Sequence, residues 1–128
     1  MPITMSPQVL TASTDAYITQ GVTARLQTFT GAAANGAITV SVIDFPVTVL
    51  RNQTATSTIT FSNVPDNYAI TWWVEVANRG SNTVNFANVS WDGGGTPTLA
   101  TTGKSVLEFY SRDGGTSIYG RVRFANVA

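Results

Sequence analysis

The side chains with chemical potential in this chain are few, and they are carboxylates and aromatic rings. Glu75 and Glu108 are the only glutamates, hence the one pair to consider for two-carboxylate glycoside hydrolysis. Each falls mid-strand among apolar neighbours, and no spacing suggests that they approach one another. Asp92 and Asp113 each open an Asp-Gly-Gly turn. Calcium takes several carboxylate and carbonyl oxygens, whereas each turn offers a single carboxylate, so ordinary turns are the reading. Trp73, Trp91 and Tyr119, beside Asp92 and Asp113, offer rings that stack on sugars and carboxylates that accept from sugar hydroxyls. Core packing explains most of those rings equally well. The chain has no histidine and no cysteine, which excludes thiolate nucleophiles, His-dependent triads, disulfides and Cys/His zinc sites. Gly93-Gly94-Gly95 lacks the lysine and following helix of a phosphate-binding loop. The sequence therefore names no catalytic, cofactor-binding or metal-ligating residue, and a non-enzymatic protein without a cofactor is expected.

Composition narrows the partners. Charged residues make up 11% of the 128 residues, against about 25% in ordinary soluble domains. The surface must then be covered by Thr, Ser, Asn and Gly, an exterior poorly defended by charge against association with neighbours. Seven basic and seven acidic residues cancel, and the arginines are scattered, far from the basic stripe that phosphate neutralisation needs. Nucleic acid is excluded on that ground. No apolar run approaches the roughly 20 residues of a membrane span, and residues 1–20 have neither the basic nor the continuous apolar segment of a signal peptide. A cysteine-free chain suits a reducing cytoplasm.

The elements that must position these side chains read as strands almost throughout. Val22, Ala24 and Leu26 alternate with Thr23, Arg25 and Gln27, and Ile38, Val40 and Val42 alternate with Thr39 and Ser41. Ala55 to Phe61 sets Ile59 and Phe61 against Thr56, Thr58 and Thr60. Tyr68 to Asn78 places Tyr68, Ile70, Trp72, Val74 and Val76 on one face of a central strand, with Trp73 and Glu75 turned toward solvent or a partner. Pro46 belongs at a strand entry or bend. Turns are expected at Val64-Pro65-Asp66-Asn67, at Asn78-Arg79-Gly80-Ser81 and at both Asp-Gly-Gly sites, the latter as hairpin turns. Gly31 to Gly36 reads as a flexible loop. With Val84, Phe86, Val106 to Tyr110, Ile118 to Phe124 and a first segment around Val9 to Ile18, about eight strands and no amphipathic helix emerge. The expected fold is all-β, an antiparallel β-sandwich of jelly-roll type. A single domain over residues 21–128 follows, with residues 1–20 an N-terminal arm or first strand in contact with a sister subunit or a shell.

Several of these residues together resemble a β-module of tailed-bacteriophage virion proteins. They are the strand Ala55 to Phe61, Asn63-Val64-Pro65, the Trp-rich strand, Gly80, Val84 with Phe86, Trp91 with its glycines, Pro97-Thr98-Leu99, Gly103, Phe109 and Asp113-Gly114. The resemblance spans Ile38 to Gly120. In place of the aromatic residue that usually follows the last turn stands Thr116-Ser117-Ile118-Tyr119-Gly120, with Tyr119 the nearest equivalent. Such modules occur in head-decorating proteins and near the tips of tail fibres, and the resemblance implies a structural, commonly trimeric protein. A chain that is nearly all one domain fits a capsid decoration (cement) protein better than a fibre. The expectation is a homotrimer on the outer surface of the head, made in the host bacterial cytoplasm, whose partners are its own copies and the major capsid protein. Phe45, Trp73, Tyr110 and Tyr119 are the interface candidates. The alternative is a tail- or head-fibre tip module that binds host-surface glycans, with Trp73, Trp91 and Tyr119 as the stacking rings.

Overall fold

A computed structural model of the chain describes residues 24–128. Nine strands appear there: β1 (Leu26–Thr30), β2 (Gly36–Ser41), β3 (Val47–Arg51), β4 (Ser57–Ser62), β5 (Asp66–Ala77), β6 (Val84–Phe86), β7 (Val89–Trp91), β8 (Lys104–Asp113) and β9 (Ile118–Val127). They form a six-stranded sheet in the order β1-β3-β5-β8-β9-β7 and a three-stranded sheet in the order β2-β4-β6. The expected N-terminal arm, residues 1–20, lies outside the described residues.

The all-β class is found, but the strand pairing corrects the antiparallel expectation. β1–β3, β3–β5, β2–β4, β4–β6 and β7–β9 are parallel, and only β5–β8 and β8–β9 run antiparallel among the described strands. From β1 to β6 successive strands alternate between the two sheets, so the chain coils and each coil lays a parallel strand on the previous one. Parallel pairing needs a long crossover. Here the crossover is a strand of the opposite sheet rather than a helix.

Periodicity of two built the core correctly. Val40, Val42, Leu50, Ile59, Trp72, Val74, Val76, Leu107 and Phe109 are buried to within about one per cent of complete exclusion from water. Their aromatic members interlock: Phe109 lies 4.8 Å from Phe61, 5.2 Å from Phe86, 5.8 Å from Trp91 and 6.0 Å from Trp72, centroid to centroid. Tilted, edge-on and stacked rings at such distances add to the stabilisation given by the apolar area they bury.

Four local expectations are corrected. Leu26, read with Val22 and Ala24 as the apolar face of a half-buried strand, stands 57% exposed, and the inward face of β1 carries Gln27 and Phe29 instead. Tyr68 does not join the buried face of β5 but stands 71% exposed, because the register against β8 shifts between Asp66 and Ile70 and Asn67 takes a φ of 65°. A bulge re-aims the side chains beside it. Gly31 to Gly36 is not a loose loop. It holds a 3-10 turn, Gly31–Ala34, with Ala34 fully buried, and Asn35 pins it to Thr54 and Ala55 through three hydrogen bonds. Finally, only the second Asp-Gly-Gly closes a hairpin, between β8 and β9. The first forms a 3-10 turn, Asp92–Gly94, after β7, and β7 pairs in parallel with β9. Pro46 does sit at the entry to β3, where its carbonyl accepts from the Trp73 N–H at 2.8 Å.

Candidate functional site

The β8–β9 hairpin positions the side chains of interest. Its turn is locked by Asp113, whose Oδ1 accepts from the Ser117 N–H at 2.8 Å and from the Ser111 hydroxyl at 3.2 Å. The Ser111 hydroxyl accepts in turn from the Gly115 N–H. The Ser117 N–H bond foremost, with side-chain bonds to Ser117 and Ser111 and the Arg112 charge, holds the Asp113 carboxyl below its ordinary value against partial desolvation. With the turn fixed, pairing follows residue by residue: Tyr110 opposite Tyr119, Phe109 opposite Gly120 and Glu108 opposite Arg121.

Extended across the sheet, this register arranges the outer face of the six strands in rows. Thr71, Tyr110, Tyr119 and Ser90 form one row; Leu26, Val47, Trp73, Glu108 and Arg121 form the next; Thr28, Val49, Glu75, Val106 and Phe124 form the third. The face divides into two halves. Around Trp73 it is apolar, with Val47, Val49 and Val106 half-buried and Leu26 and Phe124 exposed. Toward β7 it is mixed and concave.

The concave half is a groove of about 550 Å³. Main chain at Trp91, Gly120 and Phe109 forms its floor, since these residues turn their side chains, where they have them, to the core side. Tyr110 and Tyr119 rise from one row, rings 6.4 Å apart and within 23° of parallel. Asp92, Glu108 and Arg121 rise from the other side. Arg121 Nε donates to Glu108 Oε1 at 3.1 Å, and Arg123 Nε approaches the same oxygen at 3.9 Å.

Of the interface candidates, Trp73, Tyr110 and Tyr119 share this outer face. Phe45 precedes β3, half-buried, with the Arg25 guanidinium 5.1 Å above its ring. Of the stacking candidates, Tyr119 is in the groove, Trp73 is one row removed, and Trp91 packs its ring edge-on to Phe86 and Phe109. Glu75 and Glu108, expected to stand apart, are diagonal neighbours on one face, since Val106 opposes Glu75 and Glu108 follows two residues on. They do not converge on one cavity: Glu108 lines the groove and is tied to arginine, whereas Glu75 faces the apolar half. Among the described residues no cluster of three potential metal ligands occurs.

Sequence reasoning passed over Glu108, Arg121, Ser90 and Thr71 as groove residues. The signal was available, because counting outward from the Asp113 turn pairs Tyr110 with Tyr119 and Glu108 with Arg121.

No protein-family model matches the chain, and neither a curated protein nor a solved structure matches it.

Proposed function

We propose that the chain is a non-enzymatic decoration protein of a tailed-bacteriophage head, a homotrimer that binds the outer surface of the shell and cements it. The resemblance over Ile38 to Gly120 supplies the setting. One observation carries the self-association: the apolar half of the outer face, with Trp73 at its centre, has no covering element among the described residues. A flat sheet face carrying Leu26, Val47, Val49, Trp73, Val106 and Phe124 is the kind of surface that marks an interface.

The occupant is a further copy of this chain. Ion pairs among the described residues involve Glu108 alone as acid, so Glu75 on this face and Arg51 and Lys104 at its rim have no charge partner among those residues. A neighbouring copy supplies one by setting its Lys104 or Arg51 against Glu75. Three such contacts about a threefold axis bury apolar area at about 25 cal/mol per Å², and trimer symmetry then presents three equivalent attachment surfaces to the shell, which adds avidity. Trp73 and Phe45 belong to this interface, with Tyr110 and Tyr119 at its margin.

Light scattering on the purified protein tests the proposal. A mass of three chains is expected, falling to one chain in Trp73→Glu with the far-ultraviolet circular dichroism retained. Added back to heads stripped of it, the wild type should raise their resistance to heat. A strict monomer at high concentration overturns the threefold mechanism.

A further inference from the structure

The groove beside the apolar face has a chemistry that subunit packing does not account for, and we propose that it binds an uncharged saccharide of one or two pyranose rings. This rests on the groove itself and holds whether or not the protein belongs to a virion head.

Four features select that ligand class. The volume, about 550 Å³, lies within the roughly 300–1,000 Å³ of small-ligand sites. Tyr110 and Tyr119 remain 37% and 49% exposed although their rings are stacked on each other, so a broad aromatic step is offered to water. Apolar ring faces of that kind suit the C–H face of a pyranose, with the phenol groups free to bond at its edge. Polar groups complete the lining: facing the tyrosines, Asp92 and Glu108 accept from sugar hydroxyls and Arg121 donates, while Ser90 and Thr71, in the tyrosines' own row, do either.

The fourth feature is charge. Arg121 and Arg123 both address Glu108 Oε1, which fixes the carboxylate before any ligand arrives and leaves Oε2 to accept from a ligand hydroxyl. The groove is lined by two carboxylates, Asp92 and Glu108, and a single guanidinium group, Arg121. A site for a phosphate, sulfate or acidic sugar needs an excess of positive charge. This one has none, and its hydrogen-bonding groups of both senses fit a neutral polyol instead. A floor on which the side chains of Trp91 and Phe109 are turned to the core lets a flat ring settle between the two walls.

Saturation-transfer NMR on the intact wild-type oligomer tests this directly. The probes are the methyl glycosides of glucose, galactose and mannose, with N-acetylglucosamine, lactose and cellobiose, and a glycan array extends the set. At least one uncharged probe should bind, with the signal transferred from tyrosine rings. Tyr119→Ala should weaken that binding by about tenfold, the scale of one lost stacking contact, while Tyr119→Phe retains it and Glu108→Gln weakens it. Thr58→Ala, on the exposed face of the other sheet, should bind as the wild type does. Failure of every probe and of the array overturns the proposal. So does binding restricted to acidic glycans, or binding that Tyr119→Ala and Glu108→Gln leave unchanged in folded protein. Absence of sugar binding in a wild type that has the trimer mass would remove only the saccharide site, and a monomer that still binds sugar would remove only the cement mechanism.

Discussion

Gly120 and Trp91 meet across the β7–β9 ladder so closely that no β-carbon fits between them. A methyl group on Gly120 would stand 2.8 Å from Trp91 Cζ3, 2.9 Å from Val89 Cγ1 and 3.0 Å from Phe109 Cδ1. All three neighbours belong to the core cluster or pack against it, so making room requires these packed side chains to shift. Gly120→Ala should therefore destabilise the protein by about 1–3 kcal/mol, the usual cost of overpacking. Urea denaturation would show a lower midpoint with an unchanged slope. An unaltered midpoint would mean that the indole has room to retreat.

Phe109 is the ring on which the others converge, and Tyr68 is its opposite. Phe109→Ala should cost about 3–5 kcal/mol, because it removes a fully buried ring from an enclosed aromatic cluster. Tyr68→Ala should change stability by less than about 0.5 kcal/mol, as for other surface substitutions. The same denaturation experiment separates them, and a large effect of Tyr68→Ala would show that its ring has a partner in the oligomer.

Asn35 is exposed enough to look dispensable, yet it ties the first coil to the second. Its Nδ2 donates to Thr54 Oγ1 at 2.6 Å, and its Oδ1 accepts from the Thr54 and Ala55 N–H groups, each at 3.1 Å. Asn35→Ala leaves those donors to water, at a cost of about 1–2 kcal/mol for the set. Hydrogen exchange at the Thr54 and Ala55 amides should accelerate, while exchange in β8 should not.

Much of the fold could be read from the sequence because burial and alternation are local. Ile59 and Phe61 in, Thr58 and Thr60 out, needs no knowledge of the partner strand. The coil did leave a trace: Ile38-Thr39-Val40-Ser41 is answered by Ile59-Thr60-Phe61-Ser62, and the two segments lie side by side in register. The same spacing, 21 residues, links Gln27 to Thr48 in the larger sheet. Tight turns between short strands suggested hairpins instead, and a period of two carries no information about strand direction. Tyr68 was misplaced for a different reason, since a bulge breaks the alternation on which its placement depended. The groove was half legible. Tyr119 and the carboxylate of Asp92 stood out by type, but Arg121 and Glu108 acquire meaning only through the hairpin register, and the parallel partner that brings Ser90 alongside Tyr119 lies 29 residues away in a strand of three.

The Asp113 turn gives the last prediction, and it concerns pH. The carboxyl is held below the ordinary value of 3.8, chiefly by the Ser117 N–H, so the folded protein binds this proton less readily than the unfolded chain does. Stability from this group is therefore fully present above the unfolded value and is lost as the pH falls through the lower, folded one. In Asp113→Asn the side-chain oxygen still accepts from Ser117, but the charge that strengthens the bond is gone. Wild type should exceed Asp113→Asn in stability near neutral pH, and the gap should close as the medium is taken from about pH 5 toward pH 2. Urea denaturation of both proteins across that range measures it. A gap that persists at the acid end would show that the turn depends on the shape of the side chain and not on its charge.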